Sequence, residues 1–157
     1  IRDCLLSRGL GDVYKRQKYE PGTVKVIAYD KDGNAVAEKE MKTAGKPYRI
    51  ELTADRDKIM ADGKDLSFVT VKIMDKDGNL CPTAANEITF KVKGKGYYRA
   101  GANGDPTSLE SFQAPHMKVF SGMMTAIVSS TEEPGKITLE ATSKGLKKAT
   151  LVIESGK

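Results

Sequence analysis

One stretch gathers most of the residues that could do chemistry. From Ala102 to Gly122 the sequence reads ANGDPTSLESFQAPHMKVFSG, and it holds His116, the single histidine of the chain. Asn103, Asp105, Ser108, Glu110 and Ser111 lie in the same stretch. A histidine near serines and carboxylates is the raw material of a nucleophilic triad, in which the imidazole takes the serine proton and a carboxylate orients the ring. The context argues against that use. Ser108, Ser111 and Ser121 lack a G-x-S-x-G elbow, and Pro115 fixes the backbone just before the histidine. Asp105 and Glu110 have the makings of a carboxylate pair for acid–base hydrolysis. However, Asp105 lies in Asn-Gly-Asp-Pro, a turn tetrapeptide whose Asn and Asp side chains bond to nearby backbone. Asn103, Asp105, Ser108, Glu110 and His116 are therefore carried forward as a candidate cleft or interdomain loop, and no residue is assigned a catalytic role.

The other candidate motifs reduce to structure in the same way. DKDGN occurs at 30–34 and again at 75–79. A helix-flanked calcium loop needs ligands at positions 1, 3 and 5, glycine at 6 and glutamate at 12. Here glycine comes fourth and the flanks alternate like strands, so both copies read as hairpin turns. Stacking on a sugar ring needs exposed flat aromatics. With no tryptophan, Tyr97, Tyr98 and Phe112 are the candidates. Tyr97 and Tyr98 are adjacent, so in a strand they point to opposite faces and one enters the core. Cys81 is expected to pack as a small hydrophobe beside a strand end. Met117, Met123 and Met124 read as packing residues, and no metal site or cofactor is implied.

These residues must be positioned by strands. TVKVIAYD, the first DKDGN and AVAEKEMKT make a hairpin, and AGKP at 44–47 breaks the chain after it. Beyond the break, Ile50, Leu52 and Ala54 alternate, as do Val69, Val71 and Ile73, then Ile88, Phe90 and Val92. MTAIVSS follows the odd loop, and then come Ile137, Leu139 and Ala141, and Ala149, Leu151 and Ile153, each set in period two. About seven short strands separated by turns signal an Ig-like antiparallel β-sandwich. The fold class is all-β, with one domain over 47–157. One hairpin is marginal alone, so 18–46 is expected to be the end of a truncated Ig-like β domain. The loop is expected to be a long crossover with Phe112 or Phe120 tucked into the core.

The chain starts at Ile1, which points to a fragment or a processed product. Residues 1–17, IRDCLLSRGLGDVYKRQ, show neither period and resemble a translated sequencing-adapter run of the kind found in metagenomic reading frames. They are read as a non-native leader and carry two of the five net positive charges and Cys4. The remaining charge is spread over strands and turns, whereas a nucleic-acid binder concentrates it on one face. No apolar run approaches the roughly twenty residues of a membrane-spanning helix.

Together the motifs carry a resemblance. IELTADRDKIMADGKDLSFVTVKIMDKDGNLCP, AGANGDPTSLESFQAPHMKVFSGMMTAIVSS and PGKITLEATSKGL resemble the C-terminal domain of bacterial glycoside hydrolase family 2 enzymes, in the β-galactosidase branch. YEPGTVKVIAYDKDGNAVAEKEMKTAGKP is similar to the end of the Ig-like domain before it. N-G-D-P-T-S and the later F-S-G are the most specific parts. The resemblance implies a parent that hydrolyses terminal β-galactosides with retention, using two glutamates on a (β/α)₈ barrel. Neither glutamate has a counterpart here. It also implies a non-catalytic accessory module in the periplasm or outside the cell. The module's partner would be the remainder of the enzyme, with galactoside or polysaccharide at the domain border. Two other classes stay open: an Ig-like repeat of a surface adhesin and a free carbohydrate-binding module.

Overall fold

A computed structural model describes residues 20–157. The leader assigned to 1–17 lies outside them. The chain divides into two compact units between Met41 and Lys42. In the first, β1 (Thr23–Tyr29) and β2 (Ala35–Lys42) form a two-stranded sheet. Its turn is the first DKDGN, closed by Asp30 N–H donating to Asn34 O at 2.9 Å. Val24, Val26, Val36 and Met41 stay exposed.

The second unit is a β-sandwich of nine strands. β3 (Arg49–Ala54), β5 (Leu66–Met74), β9 (Met123–Ser130) and β7 (Gly96–Ala102) lie side by side in one sheet. The other sheet runs β4 (Lys58–Met60), β11 (Ala149–Gly156), β10 (Gly135–Thr142), β6 (Glu87–Gly94) and β8 (His116–Lys118). All ladders are antiparallel except β4 on β11. The expected count of about seven is exceeded because β4 and β8 hold three residues each, too few for an alternation to register in the sequence.

Alternation builds the core. Val69, Val71 and Ile73 of β5 and Met124, Ala126 and Val128 of β9 face Ile88 and Phe90 of β6 and Ile137, Leu139 and Ala141 of β10. All are buried, and each fully buried Ile, Leu or Val contributes about 1.5–3 kcal/mol. The chain passes from one sheet to the other through Gly94-Lys95-Gly96. At Gly94, with φ +95°, a Cβ would lie 2.0 Å from Lys136 O, and at Gly96 one would lie 2.7 Å from Ser129 O. Only glycine lets the backbones approach that closely.

Candidate functional site

The odd stretch leaves β7 at Ala102 and returns through β8, so it joins an edge of one sheet to an edge of the other. Gly101 N–H donates to Phe112 O at 2.7 Å, and Phe90 N–H donates to Pro115 O at 2.8 Å. The loop thus occupies strand-edge groups that would otherwise invite pairing with another chain. Its polar side chains bond within the loop and to its return strand. Asn103 Nδ2 donates to Lys118 O at 3.0 Å, and Asp105 N–H donates to Asn103 Oδ1 at 3.0 Å. The Asp105 carboxylate accepts from the Thr107 hydroxyl at 2.7 Å and from Thr107 N–H at 2.8 Å, which holds it below the usual carboxylate range. Ser108 Oγ donates to Glu110 Oε2 at 3.4 Å, and Lys118 N–H donates to the same carboxylate at 3.3 Å. His116 pairs with Thr89 in the β6–β8 ladder and is exposed. Among the described residues, no hydrogen bond joins its ring to Ser108, Ser111 or Ser121.

The aromatics depart from expectation. Phe112 is 62% exposed and Phe120 45%, so neither is tucked into the core. Met117 and Val119 take those places, and strand alternation then turns His116, Lys118 and Phe120 outward together. Leu109 is fully exposed at the loop's tip. The F-S-G motif is a two-residue hairpin. Phe120 and Met123 exchange backbone bonds at 3.0 Å, and Ser121 (φ 51°) and Gly122 (φ 74°) both adopt positive φ, the signature of a type I′ turn. Gly122 also donates to Ala84 O at 3.0 Å and accepts from Ile73 N–H at 2.9 Å.

Of the two tyrosines, Tyr97 faces solvent and Tyr98 turns inward, as adjacency requires. Tyr98 stacks on Phe90 with ring centroids 5.4 Å apart. Burial pushes its phenol up to about 12, so it stays protonated near neutrality.

Both DKDGN copies are Asx turns, in which the first aspartate accepts from the backbone two and four residues on: Asp30 from Asp32 and Asn34, and Asp75 from Asp77 and Asn79. Only Asp75 gains a distant partner, Gly45 N–H at 2.8 Å. That bond leads the causes that hold its carboxyl far below the usual range. It also fastens the segment entering the sandwich. Cys81 is buried beside it, and burial first, then the Asp75 charge, pushes the thiol up.

One feature escaped the sequence reading. A cleft of about 450 Å³ lies along β4 and the end of β11, lined by Arg56, Lys58, Asp65 and Glu154 among others. It sits at the edge of the five-stranded sheet opposite β8, away from the loop. Arg56 Nη2 pairs with Asp65 Oδ1 at 2.9 Å. Asp65 also accepts from Met60 N–H, the foremost reason its carboxyl lies low. Arg56 and Asp65 therefore already hold one another and the backbone. Among the described residues, no three His, Cys, Asp or Glu side chains come together as metal ligands.

Residues 50–152 match the model of glycoside hydrolase family 2 C-terminal domain 5. The chain belongs to this family. The family 2 domain-5 match spans the loop, the second DKDGN and most of the cleft, and leaves out the hairpin at 23–42. The chain is 50% identical over 140 residues to the β-galactosidase BoGH2A of Bacteroides ovatus, covering 89% of itself but 16% of that protein. It is 26% identical over 140 residues to a β-glucuronidase of Formosa agariphila, covering 87% of itself and 14% of that protein. A solved family 2 structure from Bacteroides cellulosilyticus superposes with TM-score 0.81 at 34% identity, over 88% of this chain and 18% of that one. The chain thus spans about a sixth of the length of the relatives it matches.

Proposed function

We propose that this chain is the non-catalytic C-terminal accessory sandwich of a retaining β-galactosidase, exported to the periplasm or beyond. The observation that carries the reading is the 50% identity to a segment making up 16% of a β-galactosidase. The hydrogen bonding of the loop supports it, because Asn103, Asp105, Ser108 and Glu110 brace backbone and one another. A domain shared by proteins named β-galactosidase and β-glucuronidase also suits a part that does not choose the sugar. In this reading the hairpin at 18–46 is the end of a preceding Ig-like domain, the sandwich occupies 47–157, and the loop faces the border between domains. The reaction itself is carried by two glutamates elsewhere in the longer protein.

The test is made in the longer enzyme. Asn103→Ala removes the bonds to Lys118 O and from Asp105 N–H, a loss of about 1–3 kcal/mol of stability at roughly 0.5–1.5 each. kcat/KM for a chromogenic β-galactoside should stay unchanged, and the isolated 157-residue chain should show no turnover. A fall in kcat/KM without a fall in thermal stability would place the loop in the substrate cleft instead. Turnover by the isolated chain would overturn the assignment altogether.

A further inference from the structure

The two outward sheet faces of the sandwich differ in kind. On the five-stranded sheet most outward pairs are those of a solvated surface, Lys136 opposite Glu154, Glu140 opposite Lys91 and Glu87 opposite Lys118, with Val152, opposite Thr138, an apolar residue among them. On the four-stranded sheet, register sets Phe68 of β5, Ile127 of β9 and Ala100 of β7 in one row, beside the row of Thr70 and Thr125. Tyr97 continues the apolar surface along β7. Phe68 and Tyr97 are 42% and 41% exposed. Charge forms the border: Arg49 and Glu51 with Lys72 at one end, Asp55 and Arg56 beside Phe68 where β3 ends, and Arg99 at the bulge of the opposite edge strand. An uncharged aromatic centre inside a charged rim is the anatomy of a protein interface.

Resting on the accessory-domain reading, we propose that this face of the four-stranded sheet docks the rest of the same, longer polypeptide through an uncharged apolar surface on that partner. Size selects the occupant. Four strands of about 4.8 Å each by five residues of about 3.4 Å give roughly 300 Å² a side and about 600 Å² in all. That is half the roughly 1,200 Å² at which free-standing pairs become stable, but it reaches the lower bound of about 600 Å² for interfaces inside one chain. A tethered partner makes up the difference, because its effective concentration is already high. A second copy of this chain has no such help.

The experiment is hydroxyl-radical footprinting of the free 157-residue chain and of a chimera. In the chimera, residues 20–157 replace the matching segment of the 50%-identical β-galactosidase. Phe68 and Tyr97 should oxidise several-fold more slowly in the chimera, while Val152, 48% exposed on the other sheet, should be unchanged. Protection of Val152 in place of Phe68 overturns the choice of face and leaves the accessory reading standing. Protection nowhere overturns both. Protection of Phe68 in the free chain that grows with concentration assigns the face to a second copy and overturns the proposal. As a second readout, Phe68→Lys should keep the free chain's circular dichroism yet lower the chimera's thermal midpoint. Val152→Lys should not lower it, and equal effects of the two variants overturn the proposal.

Discussion

Gly122→Ala should destabilise the sandwich far more than the same change at Gly104, although both glycines adopt nearly the same left-handed backbone. Their φ angles are 74° and 76°, so each variant carries the cost of placing an L-residue there, about 1–2 kcal/mol. The surroundings differ. At Gly104 a Cβ meets nothing within 4 Å, whereas at Gly122 it lies 2.2 Å from Cys81 O and 3.0 Å from Cys81 C. Backbone cannot be displaced as a flexible side chain can, so the turn must lift away from the 81–84 segment. Lifting strains the bonds from Gly122 N–H to Ala84 O and from Ile73 N–H to Gly122 O. At roughly 0.5–1.5 kcal/mol each they add about 1–3 kcal/mol. Gly122→Ala should therefore cost about 2–5 kcal/mol in total against about 1–2 for Gly104→Ala. Urea unfolding followed by circular dichroism, with the m-value compared across variants, measures both. If the two variants come out equal, backbone conformation alone makes the glycine necessary and the collision is refuted.

The two DKDGN turns supply a second matched pair. Asp75→Asn should lower the urea midpoint at neutral pH and Asp30→Asn should leave it nearly unchanged, since only Asp75 holds Gly45 N–H. The pH dependence follows from the depressed folded value. The stabilisation is fully present above the ordinary 3.8 and lost as pH falls through the lower folded value. The gap between native chain and Asp75→Asn should accordingly close on acidification below 3.8, and a gap that widens there would reverse the sign. In a Cys4→Ser chain, which leaves Cys81 as its one thiol, the buried Cys81 with its thiol pushed up should resist Ellman's reagent and react only as fast as the chain opens. Rapid labelling under native conditions would show that the 81–84 segment does not cover it.

Period two made most of this fold legible. Val69, Val71 and Ile73, or Ile137, Leu139 and Ala141, announce the inward face of a strand as soon as they are written in a row, and all six are buried. Two kinds of feature stayed hidden. β4 and β8 are edge strands of three residues each, fixed by partners, β11 and β6, that lie far off in the sequence. Likewise nothing local separates Asp75 from Asp30, because the difference is a backbone N–H thirty residues away. The misplacement of Phe120 has another origin. Its hydrophobicity pointed inward while its parity pointed outward, in step with His116 and Lys118 and out of step with Met117 and Val119. Parity prevailed, because an extended strand cannot turn two neighbouring residues the same way without a bulge. Phe68 obeys the same rule: with Val69, Val71 and Ile73 inside, it must face out. A large aromatic on the wrong parity of a strand with an apolar inner face is thus a signal in its own right. It gives the domain no core packing, and exposed apolar patches mark contacts with another surface. For a domain proposed to be an accessory part of a longer enzyme, such positions are where the sequence comes nearest to stating a function.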